Sequence, residues 1–232
     1  TWNRMVRDGR KVKNGEGSAW WYWKYYFLPR CWWWYESLFS PKAGQICGEA
    51  TPRYATLKER QIQKITARLP QLKIIYLLRN PVDRMWSDVA MFHSRRFGGN
   101  GLSSSDRDSV VRFLNDPEHL AHSKYVENLA RWEKHLPGKQ IFVGFYDDIS
   151  KNPESLLKQI FEFLAVDPSF EPPGDLLKRR INKNDYPPMP EGIREMLSMH
   201  LLGDLEMLSK KTQNEWVNEW LNSARTSDKA SL

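Results

Sequence analysis

QLKIIYLLRNPVDRMWSDVAMFHSRR, running from Gln71 to Arg96, reads as a buried strand, a tight turn and an amphipathic helix. Leu72, Ile74, Ile75, Tyr76, Leu77 and Leu78 form a short apolar run rich in strand formers, the pattern of a strand covered on both faces. The run stops at Arg79-Asn80-Pro81. Asn80 is a preferred N-cap, Pro81 suits the first helical position, and Asp83 stands where a capping-box acid stands. Val82, Met85, Trp86, Val89 and Phe92 then predict one apolar stripe along the helix.

The polar groups of this stretch carry the functional information. Arg79 ends the strand at the carboxyl edge of an expected parallel sheet, and Arg84 and Ser87 fall in the first two turns of the helix. A helix start offers backbone N–H groups and the positive end of a dipole, so this corner suits an anion. A guanidinium adds a fork that matches phosphate oxygens, at about 1.5–3 kcal/mol for each charge-assisted bond. A plainer reading leaves Arg79 a solvated strand-end charge and Ser87 a surface residue. Spacing by itself does not separate the two.

LLRNPVDRMWS, however, resembles the 3′-phosphate-binding segment of sulfotransferases that use 3′-phosphoadenosine 5′-phosphosulfate (PAPS). In that family a strand-end Arg and a Ser eight residues later hold the 3′-phosphate, and Arg79 and Ser87 have that separation. The preceding GEATPRY, Gly48 to Tyr54, is similar to the GE-x-[ST]-P-x-Y segment of bacterial and heparan-type members. The resemblance covers most of the chain. It implies a single α/β domain with a central parallel sheet flanked by helices, a P-loop-kinase-like fold, spanning residues 1–232.

Composition fits that class. A chain of 232 residues is long enough for one α/β domain with a sizeable core. A net charge of +7 suits polyanionic partners, but the basic residues are scattered rather than gathered in one tail, which argues against nucleic acid. Cys31 and Cys47 give no disulfide framework and favour a reducing compartment. The expectation is cytoplasmic, with the Golgi lumen as the alternative if a leader was removed. No apolar run reaches the length of about 20 residues that a transmembrane helix needs. Oligomeric state is not readable.

Taken in order, the chain opens on a polar, basic segment, Thr1 to Gly17, in which Trp2, Met5 and Val6 can share one face of a short helix. The family places a strand and a phosphosulfate-binding Gly-rich loop resembling K-x-G-T-T ahead of this point. The sequence holds no such loop, and Thr1 is either its last remnant or an arbitrary boundary. SAWWYWKYYFLPRCWWWYESLF, Ser18 to Phe39, follows. It reads either as core plus a hydrophobic flap or as an aromatic-lined acceptor pocket. Its ends match a K-E-x-x-Y-F-like segment and a W-Y-x-x-x-F helix of the family. Tyr22 and Trp23 stand where the family carries Lys-Glu, and Lys24 is displaced by two positions.

Gln45 to Glu49 is a strand candidate. Helices are expected over Leu57–Leu69, Val110–Asn115, Leu120–Leu136, Pro153–Leu164 and Met189–Leu208, and a second buried strand over Lys139–Asp147. Phe97 to Asp108 reads as a mobile loop. Asp147-Asp148 is read as structural, since no His or Cys cluster accompanies it. Trp216 and Trp220 are expected to pack a last helix, and Ser223–Leu232 to fray.

The resemblance implies sulfuryl transfer from PAPS, without a metal, to a hydroxyl or amine of an acceptor, a glycan or another small molecule. An inactive sulfotransferase-like nucleotide-binding module is the alternative. A nucleoside-phosphate kinase would need a Walker loop and a Mg²⁺ ligand, neither of which is visible. Arg79, Ser87 and Tyr125 are the expected nucleotide ligands, with Arg180, Asn182 and Lys183 closing over the 3′-phosphate and Thr1 at the phosphosulfate end. His93 or Glu49 is the expected base, and Lys24 the donor to the leaving oxygen.

Overall fold

The computed structural model describes residues 18–97, 107–174, 176–178 and 188–229. Thr1, Arg180, Asn182, Lys183, the expected helix near Trp2 and most of the expected loop at 97–108 lie outside the described residues. The chain divides into two compact units, Thr1–Thr51 and Pro52–Leu232.

In the first unit the aromatic segment forms two helices, α1 (Ala19–Phe27) and α2 (Trp32–Ser37). Neighbours three and four apart on a helix face each other. That spacing stacks Trp20 on Trp23 at 4.9 Å and Trp21 on Tyr25 at 5.2 Å. Indole donors tie the pair of helices together: Trp21 Nε1 donates to the Leu38 carbonyl at 3.0 Å and Trp34 Nε1 to the Lys24 carbonyl at 2.8 Å. No described residue of this unit is buried, so the expected core role is corrected: the rings pack on one another and not into an interior. Gln45 to Glu49 is irregular and exposed, not a strand. Without a partner strand or a covered face, its propensity has nothing to act on.

The second unit opens with a 3₁₀ turn, Pro52–Thr56, and α3 (Glu59–Arg68). There follow β1 (Ile74–Leu78), α4 (Pro81–Phe97), α5 (Arg107–Leu114), α6 (Pro117–Ala121), α7 (Tyr125–Glu133), β2 (Ile141–Phe145), α8 (Tyr146–Lys151), α9 (Pro153–Leu164), α10 (Glu191–Thr212) and α11 (Glu215–Lys229). The strands pair in parallel, with Ile74 opposite Ile141 and Leu78 opposite Phe145.

Side chains alternate across the pleat. Tyr76, Leu78, Val143 and Phe145 share one face and pack on Tyr125, Leu205, Leu208, Val217, Trp220 and Leu221. On the other face α9 comes so close that a Cβ on Gly144 would stand 2.8 Å from Leu77 Cδ2 and 3.2 Å from Leu156 Cδ1. Ile75 and Leu77, each 39% exposed, are only partly covered there. A third cluster, Ile62, Trp132 and Leu136, closes the amino end of the sheet with Ile74 and Ile141.

The apolar stripe of α4 buries Val82, Met85, Trp86, Val89 and Ala90 against Val110, Phe113, Ile193, Leu197 and Leu201. Phe92 is a correction, being 47% exposed. Ten residues beyond Val82, it sits about 80° round the helix from that line. The stretch predicted as one helix from Leu120 to Leu136 breaks at 122–124, where Ser123 is buried in a turn. The second strand ends at Phe145, two residues before the expected Asp147. The expected tail is helical as far as Lys229, held by buried Ala224 and an Arg225–Glu206 ion pair. Trp216 and Trp220 do pack this helix, and Trp216 Nε1 donates to Asp148 Oδ1 at 2.9 Å.

Candidate functional site

Parallel register decides what meets at the carboxyl edge of the sheet. Leu78 lies opposite Phe145, so the next residue on each chain, Arg79 and Tyr146, emerge side by side. The Arg79 guanidinium sits over the Tyr146 ring, 5.1 Å from its centroid, within cation–π range. From the opposite side the Tyr125 hydroxyl donates to the Arg79 main-chain carbonyl at 2.8 Å. Tyr125 is itself fixed by an edge-to-face contact with Tyr76 at 5.9 Å. Burial raises the Tyr125 hydroxyl well above the ordinary tyrosine range, and Tyr76 is raised for the same reason. Both stay neutral at any physiological pH, Tyr125 donating to the Arg79 carbonyl and Tyr76 accepting from the Asn128 amide.

The turn into α4 is built as its residues require. Asn80 Oδ1 accepts from the Val82 amide at 3.0 Å, and the Asn80 carbonyl accepts from the Arg84 amide at 2.9 Å. Pro81 holds the first helical position. Two amides of the helix start, those of Val82 and Arg84, are therefore already satisfied within the turn. Asp83 faces Arg194 of α10 at 3.4 Å.

Arg84, grouped with this corner by sequence, does something else. Its guanidinium donates to Ser123 Oγ at 2.7 Å, to the His119 carbonyl at 3.3 Å and to the Asp88 carboxylate. It is a strut between α4 and the α6–α7 turn. Burial, and after it the Arg84 charge, lowers the His122 pKa, so that imidazole is neutral at pH 7. Among the described residues, Arg79 by contrast pairs with no carboxylate, and its guanidinium rests on the Tyr146 ring.

Ser87 is half-buried in the second turn of α4, and His93 is half-buried further along. Six residues separate them, about 9 Å along the axis and about 120° around it. His93 is thus aligned with Val82 and Val89 rather than with Ser87. Glu49 is exposed in the first unit and accepts from Tyr35 OH at 2.7 Å; Lys24 Nζ, in the same unit, donates to the Ser37 carbonyl. The sequence reading missed Tyr146, Ser123 and Asn128. The last is a buried amide that donates to the Ala121 carbonyl at 2.9 Å and to Tyr76 OH at 3.4 Å. Tyr146 had a signal: it directly follows a second apolar run, as Arg79 follows the first. No group of His, Cys, Asp or Glu able to hold a metal occurs among the described residues, and no described helix is long and apolar enough to cross a membrane.

Residues 37–185 match the model of the sulfotransferase domain family. The chain belongs to that family. Human and bovine bifunctional heparan sulfate N-deacetylase/N-sulfotransferase 2 are each 25% identical to it over 159 residues. That alignment covers 64% of this chain but 16% of either relative, so the chain spans about a sixth of their length. A crystal structure of a sulfotransferase from Alicyclobacillus acidocaldarius superposes with a TM-score of 0.63 at 22% identity, over 84% of this chain and 76% of that one. The likeness bears out the P-loop-like sulfotransferase fold expected from the sequence.

Proposed function

We propose that this chain acts as a sulfotransferase, taking a sulfuryl group from PAPS and delivering it to a hydroxyl or amine of a carbohydrate. The observation that carries the reading is Arg79: a guanidinium at the carboxyl end of β1 that pairs with no carboxylate among the described residues, its main chain pinned by Tyr125 and its face covered by Tyr146. A strand-end arginine held this way presents its N–H edge to a phosphate. The glycan half of the proposal is supported by the two relatives, whose names specify heparan sulfate.

When bound, PAPS supplies a sulfuryl group that the acceptor oxygen or nitrogen takes as the bond from sulfur to the bridging phosphate oxygen breaks and 3′-phosphoadenosine 5′-phosphate (PAP) leaves. In this reading Arg79 and Ser87 hold the 3′-phosphate. Arg180, Asn182 and Lys183 close over it, and Thr1 lies at the phosphosulfate end. Tyr125 acts on the nucleotide through the Arg79 carbonyl. The acceptor's proton goes to His93 or Glu49, and most of the rate comes from positioning and from donors aimed at the developing charge. In this reading the sulfotransferase domain takes in residues 1–232.

A second reading, nucleotide binding without turnover, is favoured by one observation: Lys24 Nζ is already committed to the Ser37 carbonyl. Calorimetry with PAP and transfer of labelled sulfate from PAPS to a panel of glycans separate the two. Arg79→Ala is expected to weaken PAP by about 10–150-fold, one charge-assisted contact. Ser87→Ala should cost less, about 2–10-fold, for one neutral hydrogen bond. Full PAP affinity in Arg79→Ala would overturn the assignment. Binding without transfer to any acceptor would favour the second reading.

A further inference from the structure

We propose that Tyr146 is a positioning residue for the nucleotide's 3′-phosphate: its ring fixes the plane of the Arg79 guanidinium. The inference rests on the assignment of Arg79 to that phosphate. Arginine carries a large rotamer entropy, and a side chain at the open edge of a sheet loses it on binding. An aromatic face offsets that cost before the ligand arrives. It also occupies the guanidinium face and leaves the in-plane N–H groups for a bidentate anion.

Three features of the fold converge on the pair. Register sets Arg79 and Tyr146 beside each other, directly after Leu78 and Phe145. The Tyr125 hydroxyl prevents the Arg79 main chain from moving away. The Asp148 carboxylate, two residues on, accepts from Trp216 Nε1 at 2.9 Å and makes no ion pair with Arg79 among the described residues. Tyr146 is 48% exposed, so its ring and the guanidinium on it are open to solvent. Arg84, a few residues along the same motif, shows the alternative: ion-paired to Asp88 and bonded to Ser123, it is held by polar partners and has no edge left to offer.

The test is calorimetric titration of wild type, Tyr146→Leu, Tyr146→Phe, Arg79→Ala and the Arg79→Ala/Tyr146→Leu double variant with PAP and with adenosine 5′-phosphate, which lacks the 3′-phosphate. Melting temperatures confirm folding. Tyr146→Leu is expected to weaken PAP about 2–5-fold, the size of one exposed cation–π contact, and to leave adenosine 5′-phosphate unchanged. Tyr146→Phe keeps the ring and should restore wild-type affinity. In the Arg79→Ala background the leucine substitution should have no further effect. In turnover, the KM for PAPS rises with kcat unchanged. The proposal is overturned if Tyr146→Leu binds PAP like wild type while Arg79→Ala does not, an outcome that leaves the phosphate assignment standing. It is also overturned if the loss is equal for both nucleotides or persists in the double variant. Wild-type PAP affinity in Arg79→Ala overturns both readings together.

Discussion

Tyr125→Phe removes a single oxygen, and the structure indicates what that oxygen does. The hydroxyl is a donor to the Arg79 carbonyl at 2.8 Å, inside a cluster where Tyr125 is 4% exposed. Phenylalanine keeps the ring and its edge-to-face contact with Tyr76, so the packing term is nearly constant. What changes is one hydrogen bond and a carbonyl left without this donor, about 1–2 kcal/mol. For a chain of this size that corresponds to a fall in melting temperature of about 2–8 °C. A second signature lies in alkali. Burial raises the folded-state pKa of Tyr125 above its unfolded value, so the folded form retains a proton that the unfolded chain loses. The associated stability is complete below about pH 10 and declines as pH rises from there towards the folded value. Tyr125→Phe should lose part of that decline, with Tyr76 supplying the remainder. Differential scanning calorimetry from neutral pH to about pH 11 measures both effects. If the variant melted within about 1 °C of wild type at neutral pH and kept the full alkaline slope, Tyr125 would not be holding Arg79.

Arg84→Met tests whether that arginine is a strut. It strands the Asp88 carboxylate and the buried Ser123 hydroxyl, so a loss of about 2–3 kcal/mol in chemical denaturation is expected, with PAP affinity unchanged below the transition. A selective loss of PAP affinity at unchanged stability would make Arg84 a ligand after all. Ala165 caps α9 with φ 59°, a left-handed conformation that costs an alanine about 1 kcal/mol, so Ala165→Gly should raise the denaturation free energy by about that much. No gain would show that neighbouring contacts already relieve the strain.

The heart of the fold was legible because local signals agreed. A continuous apolar run, an N-cap asparagine and a proline at the first helical position all placed the β1–α4 boundary at Arg79-Asn80, where it is found. Arg79 and Ser87 came from spacing together with family resemblance. Less could be read where tertiary partners decide. Gln45 to Glu49 has strand-like residues but pairs with no strand among the described residues. The break near Ser123 depends on an arginine 39 positions away. Tyr146 looked like the end of a strand and is the first residue of a helix, so its contact with Arg79 emerges only once the register is known. For Arg84 the sequence conveyed charge and position; only its partners distinguish a ligand from a brace.

Gly144 sets the pitch of this arrangement. With no methyl group there, Leu77 and Leu156 can both lean into the gap, and the two strands run past it without a step. One carbon more would act as a wedge two residues short of Tyr146, pressing on Leu77 of β1 and Leu156 of α9. The spacing of the two strand ends that carry Arg79 and Tyr146 is thus set by an atom the chain leaves out.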